Sequence, residues 1–317
     1  MQIGFGGGIL TGTRNDIANG TPIRFGIMQD IDLSFDGEIK QLWGQGQFAI
    51  DSRRGKTKIE GKAKFAQISG LIFANLMFGT ALSTGQTIPA YNEAQTTSAA
   101  VSGATSAATA AASAVLTFTS VPTGVIVGMP VVDTTHPTVI PAGTYVLSKT
   151  ATTVTMSAAC TGAGVTSGDT ITFGSSLTVT NSGTYAGDLG VFYANTGNPL
   201  TFVVGAPVQG QYTESAGVYV FSAADAATPM LVNYLWLSSM TGYTIAPGNP
   251  LMGITPKFQA NFQQQVDSNY LNLILYACVA SKLTLPTKLD DYIIQEMDFM
   301  AFANAAGQTF SLSLSGE

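Results

Sequence analysis

A short run of alternating charge is the most restrictive feature of this sequence. Six of the thirteen Lys and Arg residues lie between Arg53 and Lys64, and Lys56, Lys58, Lys62 and Lys64 occupy every second position apart from one Glu. Successive side chains of a β-strand point to opposite faces. The run therefore predicts a strand with one charged face and one face that packs against a core.

Positive charge is scarce in the rest of the chain. No Lys or Arg occurs in residues 65–148 or 150–256, and 10% of all residues are charged, against about a quarter in ordinary globular proteins. Charge is depleted at the cores of large interfaces, so this distribution predicts a protein that covers much of its surface with copies of itself. A net charge of −6 argues against general nucleic-acid binding, which needs a basic surface.

The segments that flank the basic run have regular patterns of their own. Before it, Ile31, Leu33 and Phe35 alternate with polar residues, which predicts a neighbouring antiparallel strand. After it, apolar residues recur at the spacing of a helix face that Gly79 would end. The residues of that predicted helix face are Phe65, Ile68, Leu71, Ile72 and Leu76.

Composition divides the chain into three regions. Residues 93–114 are almost wholly small or polar and predict a linker, with an Ala-rich helix as the competing interpretation. Residues 115–176 predict an inserted all-β module, and residues 1–92 with 177–317 predict one discontinuous β domain. The strands predicted in the module are 116–120, 130–133, 144–149, 153–157 and 170–173, and those predicted at the end of the chain are 292–299 and 310–314.

The sequence has few residues that could carry chemistry. His136 is the single histidine, and no nucleophile motif accompanies it and Asp133, so we expect no catalytic triad. A metal site at His136 needs a further strong ligand, and neither Cys160 nor Cys278 is near it in sequence. We therefore predict two buried free thiols, no metal site, no catalytic residues and no cofactor.

Two groups of acidic residues have alternative interpretations. Asp30, Asp32 and Asp36 could be paired acids of a glycosidase, but their spacing favours one charged strand face. The second group could bind calcium, but its strand-like surroundings favour a solvated or interfacial face. The members of the second group are Asp290, Asp291, Glu296 and Asp298.

Several segments resemble the tail tube (major tail) proteins of tailed bacteriophages. Those segments are TPIRFGIMQDIDLSF (21–35), KQLWGQGQF (40–48), KIEGKAKFAQI (58–68), NPLMGITPKF (249–258) and LTLPTKLDDY (283–292). The inserted stretch is similar to a small β module that recurs in phage virion proteins. Its matching segments are VGMPVVDTT (127–135), IPAGT (140–144) and ATTVTMS (151–157).

The resemblance implies a mainly β fold, with a tail-tube-like, barrel-forming β-sandwich, one flanking helix and an inserted small Ig-like β domain. Subunits would form hexameric rings that stack into a tube, through which double-stranded DNA passes without sequence-specific binding. The implied partners are further copies of the chain, the tape measure protein and the tail terminator and baseplate proteins. The implied location is the virion tail, assembled in the host cytoplasm, with no enzymatic activity and no membrane.

A channel for DNA should have a neutral or acidic wall, because a basic wall would retain phosphates. We therefore expect Asp30, Asp32 and Asp36 to face the channel. The basic face should instead meet an acidic face, on a neighbouring subunit or on its own sheet. The basic residues of this interface hypothesis are Arg53, Arg54, Lys56, Lys58, Lys62 and Lys64, and its acidic residues are Asp290, Asp291, Glu296 and Asp298.

Other functions remain open at the level of sequence. A receptor- or glycan-binding virion protein would present aromatic residues such as Tyr212, Tyr219 and Tyr234 to a sugar. A capsid or decoration protein would share the acidic, β-rich composition. A polysaccharide-degrading enzyme is supported only by the Asp30, Asp32 and Asp36 set.

Overall fold

The computed structural model describes residues 6–67, 69–266, 269–287 and 289–315. It confirms a mainly β chain with one helix and several antiparallel sheets. The chain divides into two compact units. Unit 1 comprises Met1–Thr84 and Tyr243–Glu317, and unit 2 comprises Gly85–Gly242.

The strands are numbered in chain order. They are β1 (Ile9–Arg14), β2 (Ile23–Arg24), β3 (Met28–Trp43), β4 (Ala49–Phe65), β5 (Ser83–Thr96), β6 (Ser102–Ala104), β7 (Val115–Thr117), β8 (Val131–Asp133), β9 (Val146–Lys149), β10 (Thr153–Met156), β11 (Thr170–Phe173), β12 (Ser175–Thr178), β13 (Tyr185–Tyr193), β14 (Thr201–Phe202), β15 (Gln211–Ser215), β16 (Val218–Phe221), β17 (Pro229–Thr244), β18 (Phe258–Val266), β19 (Asn269–Thr284), β20 (Gln295–Phe302) and β21 (Phe310–Leu314). The helix is a π-helical segment, Ile72–Phe78, and single 3₁₀ turns occur at Ser182–Thr184 and Ala223–Asp225.

Unit 1 is built on one antiparallel sheet with the strand order β2-β1-β18-β19-β20-β4-β3. The long strand β19 pairs with β18 along its first half and with β20 along its second half. Strand β21 pairs with the first half of β19. In this order β2 and β3 are the two edge strands, and each has an unpaired side in the described part of the chain.

The helix of unit 1 begins later than the sequence predicts. Phe65 is the last residue of β4 rather than part of the helix, because its side chain belongs to the alternating buried set of that strand. Ile72 and Leu76 are buried in the core as predicted, whereas Leu71 of the predicted face is exposed. Leu76 lies close to Gly12 of β1. Gly79 ends the helix in a left-handed conformation (φ 68°), as predicted. Ile68 lies outside the described residues.

Gly61 allows the closest packing in this core. It lies in β4 opposite Phe299 of β20, and Phe299 is 2% exposed. A Cβ atom built at position 61 would lie 2.2 Å from the Phe299 ring. The ring therefore rests on the backbone of β4, and no larger side chain fits there without displacing it.

We predict that Gly61→Ala destabilises unit 1 by about 1–3 kcal/mol, because overpacking of a core forces side chains and backbone to shift. Urea unfolding followed by circular dichroism measures the change. Gly37→Ala is the matched control, since its Cβ would meet only the Arg54 side chain, at 3.4 Å. Equal stability of the two variants would contradict the packing argument.

Unit 2 contains the predicted small β module. All five strands predicted there are present, as β7 to β11, although β7, β8, β9 and β10 are each shorter than predicted. They form the sheets β7-β10-β9 and β6-β11-β8 around one shared core, in which the rings of Phe118 and Phe173 are 6.1 Å apart. A second core in unit 2 lies between the sheets β12-β16-β15-β14 and β13-β17-β5.

Residues 93–114, predicted as a linker, belong to the folded part of unit 2. They include the end of β5 and all of β6, which pairs with β11. Threonine hydroxyls fix this stretch: Thr105 donates to the Thr166 carbonyl at 2.7 Å and Thr109 to the Val115 carbonyl at 2.9 Å. Small residues resemble a linker in composition, but here they allow close backbone pairing.

Tyrosine hydroxyls donate to carboxylates inside unit 2. Tyr212 and Tyr219 both donate to Asp188, and Tyr193 donates to Asp225 at 2.6 Å. Burial, reinforced by the hydrogen bond to Asp225, raises the pKa of Tyr193 to about 12. Tyr212 and Tyr219, together with Tyr234, are buried rather than exposed, so they cannot form the predicted sugar-binding platform.

These tyrosines predict alkaline unfolding of unit 2. A tyrosine in an unfolded chain has a pKa of about 10. The raised pKa of Tyr193 therefore contributes stability that is complete below pH about 10 and is lost as pH rises towards about 12. We expect Tyr193→Phe to flatten this part of the stability profile, measured by urea unfolding at several pH values. The exposed Tyr91 is the control, and Tyr91→Phe should leave the profile unchanged.

The two cysteines are free and buried, as predicted. Burial raises the pKa of the Cys278 thiol to about 12, so the thiol stays protonated and unreactive at neutral pH. Among the described residues, no helix is long and apolar enough to cross a membrane.

Candidate interaction surface

The hairpin formed by β3 and β4 positions most of the predicted site residues. Its register sets Asp30 opposite Lys64, Asp32 opposite Lys62 and Asp36 opposite Lys58. Directly opposed residues of an antiparallel pair project from the same face of the sheet. The acidic and basic sets therefore share one face.

Strands β20 and β19 extend this face. Glu296 and Asp298 of β20 lie opposite Lys64 and Lys62, and Lys282 of β19 lies opposite Asp298. We call the whole set the charged face. Its members are Asp30, Asp32, Asp36, Lys58, Glu60, Lys62, Lys64, Lys282, Glu296 and Asp298.

The charged face is held by ion pairs within one subunit. Lys62 Nζ lies 2.8 Å from Glu296 Oε1, and Lys64 Nζ lies 3.1 Å from Asp30 Oδ2. Lys282 Nζ reaches the same Glu296 oxygen at 3.3 Å. The hydrogen bond between Lys62 and Glu296 raises the pKa of Lys62 and lowers that of Glu296.

The geometry corrects the expectation that acidic and basic residues serve separate surfaces. Asp30 and Asp32 neighbour the lysines on one sheet, so a channel wall cannot contain the first set without the second. The acidic partner of the basic face is on its own sheet, which is one of the two arrangements that the sequence left open. Asp290 and Asp291 precede β20, which begins at Gln295 rather than at position 292.

The distal half of the same hairpin has a different environment. Strand β20 pairs with β4 only as far as Ile59, and residues 49–57 of β4 pair with β3 alone in the described part of the chain. We call residues 37–57 the arm. Almost all of its side chains are exposed, so neither of its faces packs on a core.

The arm exposes large apolar side chains to solvent. Phe48 is 85% exposed and Trp43 is 59% exposed, at the end of the hairpin. The other exposed apolar residues of the arm are Ile39, Leu42 and Ile50. A cluster of this kind is unfavourable in water and typically marks an interaction site.

The arm also carries a net positive charge of +2, since it has four basic and two acidic residues. Its basic residues are Lys40, Arg53, Arg54 and Lys56, and its acidic residues are Glu38 and Asp51. Arg53 forms an ion pair with Asp51 at 2.9 Å. Three of the six predicted interface cations thus lie on the arm, and the other three lie on the charged face.

The sequence pattern missed the arm as a separate structure. Sequence alone does not distinguish its exposed Trp43 and Phe48 from core residues of a sheet, because alternation does not show whether a covering layer exists. The glycines at positions 44 and 46 between them are the available signal, since they predict a tight connection at a hairpin end.

No protein-family model matches this chain, and its comparison with curated proteins found no significant match. The functional interpretation therefore rests on the geometry of the charged face and the arm.

Exchanging the charges of Lys62 and Glu296 tests whether their ion pair stabilises the fold. We expect Lys62→Glu to lower the urea midpoint of unfolding, because the new carboxylate would face Asp32, Asp298 and Glu296. Adding Glu296→Lys should restore part of the loss by exchanging the two charges. A double variant no more stable than Lys62→Glu alone would show that the pair contributes no coupling energy.

Proposed function

We propose that this chain is the self-assembling structural subunit of a bacteriophage tail tube, in which rings stack into a conduit for genome ejection. The observation that carries the proposal is the arm, which projects exposed apolar side chains from a sheet that does not cover them. A two-stranded hairpin is marginally stable by itself in water. A second copy of the chain supplies the missing cover.

Charge supports a second copy as the partner of the arm. The arm carries +2 while the whole chain carries −6, so the remainder of each subunit is strongly acidic. Complementary charge steers association and fixes its register. An arm from one ring would therefore seat on the acidic body of a subunit in the next ring.

The open edges of the unit 1 sheet support ring formation. Strand β3 has 16 residues and, within the described residues, pairs on one side only, with β4. Long exposed edges are sites at which another chain adds strands. Repeated head-to-tail contacts that close by rotation give rings, and barrel closure within a ring would remove these edges.

The charged face is the candidate channel wall. Its six carboxylates and four lysines leave a net charge of −2, and the closest lysines are engaged by carboxylates at about 3 Å. Such a surface has no excess cations with which to neutralise phosphates, so DNA would pass without being retained. In this proposal Asp30, Asp32 and Asp36 line the channel together with their lysine partners.

Unit 2, which holds the inserted module predicted at residues 115–176 together with residues 177–242 that the sequence placed in the discontinuous domain, is the candidate outer module. It is inserted in sequence between the two halves of unit 1. Within unit 2, the sheets β7-β10-β9 and β6-β11-β8 around one shared core fit the Ig-like domain that the resemblance implies. Placed on the outside of the tube, it would obstruct neither the channel nor the stacking surfaces.

We expect the purified chain to form hollow filaments with a regular axial repeat, visible by negative-stain microscopy. The double variant Trp43→Ser and Phe48→Ser should abolish filaments while its far-ultraviolet circular dichroism spectrum stays that of the unchanged chain, because substitution of exposed side chains leaves the fold of the subunit intact. Sedimentation velocity measures the remaining oligomers.

The control variant replaces two exposed apolar residues of unit 2, Val204→Ser and Met240→Ser, and should assemble normally. Closed shells in place of filaments would favour a capsid role. A stable monomer at high concentration would refute self-assembly altogether.

A further inference from the structure

Three potential metal ligands meet at one end of the sheet β6-β11-β8 in unit 2. Asp133 is the last residue of β8, and Asp169 immediately precedes β11. The two strands are antiparallel, with Asp133 opposite Ile171, so both carboxylates lie at the same end of the sheet. His136 follows in the turn after β8, and its main-chain N–H donates to Asp133 Oδ1 at 2.8 Å.

The three side chains converge. His136 Nδ1 lies 3.0 Å from Asp169 Oδ2, and one ligand atom from each residue lies within 4.8 Å of the other two. Bonds of about 2.0–2.2 Å around a zinc ion separate its ligands by distances of this order. The cluster therefore needs only small side-chain adjustments to surround one cation.

An unpaired oxygen points to a missing ligand. Asp133 is fully buried, and its Oδ1 atom accepts main-chain hydrogen bonds from Thr135 and His136. Its Oδ2 atom is buried and has no hydrogen-bond partner among the described residues. A buried acceptor without a partner costs free energy, and a second carboxylate, that of Asp169, lies beside it. A bound cation would satisfy the oxygen and neutralise both acids.

The surrounding loops hold the ligands in place. Thr166 donates to Asp169 twice, from its main-chain N–H to Oδ2 and from its hydroxyl to Oδ1, both at 2.7 Å. The Thr170 N–H donates to the Thr135 hydroxyl at 3.0 Å, which joins the two loops directly. Hydrogen bonds of this kind orient metal ligands and raise affinity.

We propose that Asp133, His136 and Asp169 bind one divalent transition cation of the zinc class. One imidazole nitrogen and two carboxylate oxygens form a donor set that suits such ions better than calcium or magnesium, which prefer oxygen alone. His136 is half-exposed, so the site opens towards solvent, where water completes the coordination. The ion clamps the turn after β8 to the loop before β11, and this role is independent of the proposed assembly.

The sequence shows two of the three proposed ligands close together but does not reveal the third. His136 and Asp133 are three residues apart, but the third ligand is 33 residues from His136. Neither cysteine is near His136 in sequence, and the pairing of β8 with β11 supplies a carboxylate as the third ligand instead.

Calorimetric titration with Zn²⁺ tests the site. The sample is the full chain, prepared without a histidine tag and freed of metal by a chelator. We expect one ion per chain, a higher thermal unfolding temperature with Zn²⁺, and a shift of the imidazole proton signals by NMR. Those signals need no assignment, since His136 is the single histidine. Calcium should produce none of these effects at the same concentration.

The variant His136→Gln should weaken Zn²⁺ binding at least about tenfold, because loss of even an outer-shell partner costs that much. Half exposure of His136 means that the variant should fold, which its far-ultraviolet circular dichroism verifies. Asp51→Asn, at an exposed carboxylate of unit 1, is the control and should bind Zn²⁺ normally. Unchanged binding by His136→Gln, or no saturable binding by the unaltered chain, would overturn the proposal.

Discussion

The point at which β20 stops pairing with β4 determines the organisation of unit 1. From Ile59 to Phe65, β4 lies between β3 and β20, and its alternation sends one row of side chains into the core and the other onto the charged face. Beyond Ile59 the same strand has one neighbour in the described structure. The pairing of β3 with β4 thus continues into the arm, where no other layer covers the hairpin. The single strand β4 contributes to the core, to the charged face and to the arm.

Charge contributes differently in the two units. On the charged face, ion pairs are solvent-exposed, so they contribute little stability and chiefly order the side chains across four strands. The carboxylates of Asp133 and Asp169 are buried, and there the one oxygen without a partner among the described residues, Oδ2 of Asp133, has a large energetic effect. Charged residues are scarce in residues 65–148. A buried carboxylate there, that of Asp133, is therefore stronger evidence of a ligand site than any acidic residue of the charged face.

Local alternation predicted much of the fold, because a strand with one buried face records its period in the sequence. Alternation predicts the basic strand, whereas the five strands of the small module follow from their Thr, Val and Ile content and their turn signals. Pairing was not predictable, since a period of two identifies two faces but not which strands share them. For that reason Asp32 and Lys62 were assigned to different surfaces although they lie opposite each other. The ligand Asp169 was missed for the same reason, and the start of the helix was misplaced because apolar Phe65 satisfies both periods.

The arm also affects the kinetics of growth. If its ordering depends on contact with another copy, the first few subunits must order their arms before a seated neighbour exists, and this entropy cost makes the starting nucleus rare. The end of a growing filament already presents a binding surface for the arm. Each later subunit therefore orders its arm on contact, and the nucleation barrier does not apply to it. At low concentration free chains would then persist in solution because nuclei are rare, and growth would proceed from a few points rather than from many.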